Sequence, residues 1–129
     1  MAFRHFILCS IKKYFDNLIL VFGFGGERDR SKRAKMLKIA LKNSSKIFLT
    51  SDNSRNEAFK DILKDALNGN NSDDVIIIED RKEAIINANK FLDKSSCLLI
   101  LGKGHEKTQE INGEIYHFSD HEVVDEIYS

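Results

Sequence analysis

Three short stretches of the chain gather residue types that grip small ions. Asp52-Asn53-Ser54-Arg55 offers a carboxylate, an amide and a guanidinium within one turn of chain. A guanidinium can hold a carboxylate with two parallel hydrogen bonds, and an amide both donates and accepts. Gly102-Lys103-Gly104-His105-Glu106 places two glycines, which let backbone come close to a ligand, beside an acid that can pair with an ammonium. Gly23-Phe24-Gly25-Gly26-Glu27-Arg28-Asp29-Arg30 is glycine-rich and followed by arginines, a pattern suited to an anion.

None of the three is a nucleotide fingerprint. The position that a dinucleotide motif would give to glycine or alanine is Arg28, and Gly102-Lys103 has neither the earlier glycine nor the following serine or threonine of a phosphate loop. His117 and His121 have a metal-like spacing but straddle the helix start at Ser119, so no metal site is expected from them and His105. His105, between Gly104 and Glu106, reads as a support for its loop rather than as a general base, and Asp52 as a second supporting residue. Lys103 has no assigned role.

The elements that position these stretches are legible from apolar periodicity. Leu18–Phe22, Lys46–Thr50, Val75–Ile78 and Cys97–Leu101 are short apolar runs, expected to be strands buried on both faces. Between them Met36, Leu37, Ala40 and Leu41, then Phe59, Ile62, Leu63, Ala66 and Leu67, then Ala84, Ile85, Ala88, Phe91 and Leu92 recur at helical spacing. Ser54 with Glu57 and Ser119 with Glu122 match the capping box, and the second pair opens a terminal helix through Val123, Val124 and Ile127. Asn112-Gly113 between Lys107–Ile111 and Glu114–Phe118 predicts a tight hairpin.

Alternation of this kind predicts an α/β fold: a three-layer, mostly parallel Rossmann-like sheet with helices on both faces, closed by a C-terminal β-hairpin plus helix. Ligands of such sheets bind beyond the carboxyl ends of the strands, where all three polar stretches lie. The expected organisation is an N-terminal segment, 1–17, with an amphipathic helix through Phe3, Ile7, Ile11 and Tyr14, and one domain from 18 to 129.

Composition narrows the partners. The chain has 129 residues, one domain's worth, and its 20 Lys plus Arg balance 20 Asp plus Glu. Such a balance calls for neither nucleic acid nor an anionic membrane, and the run Arg28, Arg30, Lys32, Arg33, Lys35 and Lys38 reads as a solvated helix face. Cys9 and Cys97 make no disulfide framework, which fits the cytoplasm. Phe3 to Leu8 is too short for an export signal or a spanning helix.

Val21–Asp29, Asp52–Arg55 and Gly102–Glu106 together resemble, in order and spacing over about 110 residues, the Mur peptide ligases of the MurE type. The resemblance implies the C-terminal, amino-acid-binding domain of an enzyme of peptidoglycan synthesis. That enzyme joins an amino acid to UDP-N-acetylmuramoyl-L-alanyl-D-glutamate, using ATP and Mg2+ to form an acyl phosphate that the incoming amine attacks. It further implies that Arg28, Asn53, Arg55, Gly102 and Glu106 contact the amino acid, and that the arginine at 55 marks meso-diaminopimelate, whose second carboxylate lysine lacks. A more distant resemblance is to related ligase domains of the same fold that take a different amino acid, such as those of folylpolyglutamate synthetase or cyanophycin synthetase, and the Asp52–Arg55 tetrapeptide argues against it.

The chain departs from the family pattern at Glu27 and Ser54. It departs further at Met1–Ser10, which replaces a segment that helps hold the nucleotide. With no phosphate loop and no UDP-binding domain, this chain alone is expected to have no catalytic residues, no cofactor of its own and no ligase turnover. The alternative expectation is a stand-alone, non-catalytic amino-acid-binding module.

Overall fold

A computed structural model describes residues 14–129 of the chain; the expected helix through Phe3, Ile7 and Ile11 lies outside the described residues. Strand β1 (Asn17–Phe22) leads to helix α1 (Ser31–Asn43), β2 (Lys46–Leu49), helix α2 (Phe59–Leu67) and β3 (Val75–Ile77). Helix α3 (Arg81–Asn89), β4 (Ser96–Ile100), the hairpin β5 (Thr108–Ile111) and β6 (Glu114–His117), and helix α4 (Asp120–Tyr128) complete the order.

The four strands of the main sheet are all parallel, in the order β3-β2-β1-β4. Because side chains alternate across a strand, β1 divides its apolar residues between two cores. Leu18, Leu20 and Phe22 pack with Leu37 and Ala40 of α1 and Ile62 and Ala66 of α2 on one face. Ile19 and Val21 pack with Ala84, Ile85 and Ala88 of α3 and Val123 of α4 on the other. This is the three-layer arrangement expected. The chain moves outward from β1 through β2 to β3 and then returns to the far side of β1 as β4, so the strand order reverses between β1 and β4. A crevice at such a reversal is where doubly wound sheets bind ligands.

Two expectations need correction. β1 is buried nearly throughout and β2 largely so, but β3 and β4 are the sheet edges and are partly exposed, Ile77 to 42%. The capping box at Ser54 and Glu57 does not form. Helix α2 begins later, after Ala58, without a side-chain cap. The Glu57 carboxylate is instead drawn away by Arg33, as described below. At α4 the box is half made: the Glu122 N–H donates to Ser119 Oγ at 3.3 Å, while the Glu122 carboxylate meets His117 Nε2 at 2.7 Å.

The hairpin turn is as predicted, with Asn112 at φ 55° and Gly113 at φ 75°. Its two strands form a separate sheet laid across the strand tips.

Candidate functional site

An open cleft of about 590 Å³ lies at the strand-order reversal, and Arg28, Asn53, Arg55, Gly102, Glu106 and Asp52 all line it. The segments that carry them follow β1, β2 and β4. His105 does not line it; that ring is exposed and stacks on His121, with centroids 5.0 Å apart.

Close backbone packing explains the glycines. A Cβ on Gly26 would stand 1.8 Å from the Ser54 carbonyl oxygen, and one on Gly23 would stand 2.2 Å from that of Thr50. The loop after β1 therefore lies directly on the loop after β2, joined by the Gly26 N–H donating to Asn53 O at 2.7 Å. Gly102 has φ +113°, and a Cβ there would meet Asp52 Oδ2 at 2.7 Å.

Strand β5 is the template for Ser51 to Arg55. Gln109, buried, donates through Nε2 to Ser51 Oγ and Asp52 O, both at 2.9 Å. The Glu110 N–H donates to Asn53 Oδ1 at 3.0 Å. Arg55 occupies the uncommon left-handed region at φ 55°. It is held there by its N–H donating to Glu110 O at 3.1 Å and by Gly113 N–H donating to its carbonyl at 3.3 Å. The Arg55 guanidinium is anchored by Nη1 on Gly26 O at 2.9 Å and Asn53 O at 3.2 Å. Among the described residues its other nitrogens donate no hydrogen bond, so the group presents donors to the cleft.

Opposite in charge, Glu106 Oε1 accepts from Asn53 Nδ2 at 3.3 Å. Lys103 lies behind them both, 3% exposed, with Nζ 3.1 Å from Asn53 Oδ1 and 3.8 Å from Glu106 Oε1. The cleft is thus lined by charges of both signs, the cations Arg28, Lys32 and Arg55 and the carboxylates Asp29, Asp52 and Glu106.

Sequence reasoning missed four residues that hold this geometry: Arg33, Arg81, Lys103 and Gln109. Arg33, expected on a solvated face, is 1% exposed. Its Nη2 donates to Gly25 O at 3.0 Å and to Glu57 Oε1 at 2.8 Å, and Nη1 donates to Glu57 Oε2 at 2.6 Å and Asp65 Oδ2 at 3.0 Å. The Ser-x-x-Glu spacing was a real signal whose glutamate has a different partner. Glu57 also accepts the Glu27 N–H at 3.0 Å, so the Arg33–Glu57 pair steadies the loop bearing Arg28.

The hydrogen bonds from Arg33 hold the Glu57 carboxyl down at about 2, below its ordinary 4.5. A carboxyl depressed on folding contributes stability that is complete above about 4.5 and is lost as pH falls through about 2. Urea unfolding across that window is expected to show Glu57→Gln less stable than wild type at neutral pH, with a smaller further loss on acidification. Equal acid slopes for the two proteins would contradict this.

The fold is a doubly wound α/β domain whose strand tips carry a cleft lined by both basic and acidic side chains. The chain belongs to the Mur ligase family: the model of the "Mur ligase, glutamate ligase domain" matches residues 6–104. Among its relatives are UDP-N-acetylmuramoyl-L-alanyl-D-glutamate–2,6-diaminopimelate ligases. That of Helicobacter pylori is 50% identical over 109 residues, 84% of this chain and 24% of the relative. That of Aquifex aeolicus is 51% identical over 111 residues, 85% of this chain and 23% of the relative. A solved structure of a ligase of that name superposes with a TM-score of 0.87 at 35% identity, covering 97% of this chain and 27% of that one. The chain thus spans about a quarter of the length of the curated relatives it matches.

Proposed function

We propose that this chain is the C-terminal domain of a UDP-N-acetylmuramoyl-L-alanyl-D-glutamate:meso-2,6-diaminopimelate ligase of peptidoglycan synthesis, and that its cleft binds and orients the incoming amino acid. The observation that carries the reading is the convergence of Arg28, Asn53, Arg55, Gly102 and Glu106 on one cleft. Meso-diaminopimelate bears a carboxylate and an ammonium at each end. Guanidinium donors and carboxylates lining one cleft complement such an ion, and the arginine suits the second carboxylate that lysine does not have. The domain's contribution is positional, raising the effective concentration of the attacking amine.

In this reading ATP and Mg2+ are bound by the parent ligase and not by this cleft. Gly23 and Gly26, after β1, are packed against the 50–54 backbone. On the same reading, activation of the acceptor carboxyl belongs to other parts of the ligase, as does contact with the UDP-linked substrate. A cytoplasmic location suits these substrates; among the described residues no helix is long and apolar enough to cross a membrane.

Calorimetry of the chain with meso-diaminopimelate and with L-lysine tests the reading. Diaminopimelate is expected to bind at least about tenfold more tightly than lysine, one charge-assisted hydrogen-bonded contact being worth about 1.5–3 kcal/mol. Arg55→Ala is expected to remove that difference. Equal binding of the two amino acids by wild type, or unchanged selectivity in Arg55→Ala, would sink it.

A further inference from the structure

We infer that Lys103 is a positioning residue, whose buried ammonium holds the Asn53 amide in one orientation and thereby presents Asn53 Nδ2 and Glu106 to the cleft as a fixed donor–acceptor pair. An ammonium has three donors and no acceptor. Here it donates to Asn53 Oδ1 at 3.1 Å and to Thr108 O at 2.8 Å, and it ion-pairs with Asp52 Oδ1 at 3.4 Å. Its side chain is fully buried and does not line the cleft, so the lysine of this glycine-flanked loop acts on the cleft through its neighbours.

The two ends of an asparagine amide are nearly alike in shape, and the surrounding hydrogen bonds decide which way round it lies. On one side of Asn53 stand two donors, Lys103 Nζ and the Glu110 N–H at 3.0 Å; on the other stands the acceptor Glu106 Oε1 at 3.3 Å from Nδ2. Reversing the amide would set N–H against two donors and oxygen against a carboxylate. Lys103 also supplies Glu106 with a countercharge at 3.8 Å, and the Glu106 N–H donates to the Lys103 carbonyl at 3.0 Å, so loop and side chain are fixed together. A ligand carboxylate beside Nδ2 and a ligand ammonium beside Glu106 are then read by groups ordered before it arrives.

In its ligand arm the inference rests on the proposed amino-acid site; in its structural arm it does not. Nuclear magnetic resonance of the wild-type chain is expected to show the Asn53 side-chain amide protons close to the Glu106 γ protons and not to the Lys103 ε protons. In Lys103→Met those amide protons should exchange with solvent at least about tenfold faster, while the backbone amides of Ile19, Leu20 and Val21 keep their protection. Lys103→Arg, which restores charge and donors, should recover most of the slow exchange. Diaminopimelate affinity should fall about tenfold in Lys103→Met.

Amide protons facing Lys103 in wild type would overturn the inference. So would a folded Lys103→Met variant whose Asn53 exchange stays within about twofold of wild type. If Lys103→Met does not fold, the wild-type proximities and the arginine variant decide the matter. Absence of diaminopimelate binding by wild type counts against the proposed function alone.

Discussion

Arg81→Met is expected to lower the stability of the domain by about 3–5 kcal/mol, the usual consequence of stripping one partner from a buried ion pair. The Arg81 side chain is wholly buried and Asp120 nearly so. The guanidinium meets Asp120 with two hydrogen bonds, Nε to Oδ1 at 2.8 Å and Nη2 to Oδ2 at 2.9 Å. It also donates to Ser51 O at 3.2 Å and Leu101 O at 3.0 Å. Those carbonyls stand just before the two loops that supply Asn53 and Glu106, so one side chain ties α3, α4 and the tips of β2 and β4. Methionine would leave a buried carboxylate unpaired and two carbonyls without their donor. Urea unfolding measures the loss as a lower midpoint at unchanged slope. The double variant Arg81→Met with Asp120→Leu should recover part of it, because removing both charges is far cheaper than removing one. A loss below about 1 kcal/mol in the single variant, or no recovery in the double, would contradict this account.

Gly26→Ala should disrupt the cleft itself. The new methyl would lie 1.8 Å from Ser54 O and 2.6 Å from Ser54 C, both backbone atoms that no side-chain rotation can move aside. Relief requires the loop after β1 to lift from the loop after β2. That movement breaks the Gly26 N–H bond to Asn53 O and displaces the carbonyl that anchors the Arg55 guanidinium. Crowding of this kind costs about 1–3 kcal/mol of stability, and diaminopimelate binding should weaken by well over tenfold. Gly69→Ala is the control. Its φ of +80° makes any side chain strained, yet a Cβ there meets nothing within 4 Å. That variant should lose stability and keep its ligand affinity. Equal affinities for the two variants would argue against close loop packing as the basis of the site.

The fold was legible because its determinants are local. The four apolar runs and the spacing of Phe59, Ile62, Ala66 or Ala84, Ile85, Ala88 each report one element. Asn112-Gly113 reports its own turn. The cleft-lining residues could be read because their three motifs lie at strand ends, where this sheet gathers its loops. The supporting residues could not. Arg33 looks like its solvated neighbours until Glu57, 24 positions away, is folded beneath it. Arg81 and Asp120 are 39 positions apart, and Gln109 and Ser51 are 58 apart. Nothing in a residue's immediate neighbourhood predicts a buried charge whose partner comes from a distant element of the chain. The same reason undid the Ser54–Glu57 cap: local pattern gave the spacing, and a more strongly bound arginine took the carboxylate.

The template role of β5 also sets an order of events. Asn53 depends on Glu110, 57 positions later, and on Lys103, 50 positions later. During synthesis the first three strands and their helices leave the ribosome before any of these partners exist, and bonds across such long chain separations close late. The 51–55 loop therefore acquires its shape among the last steps of folding. Until Gly113 has emerged, the nascent domain has the makings of its sheet but no ordered cleft at its strand tips.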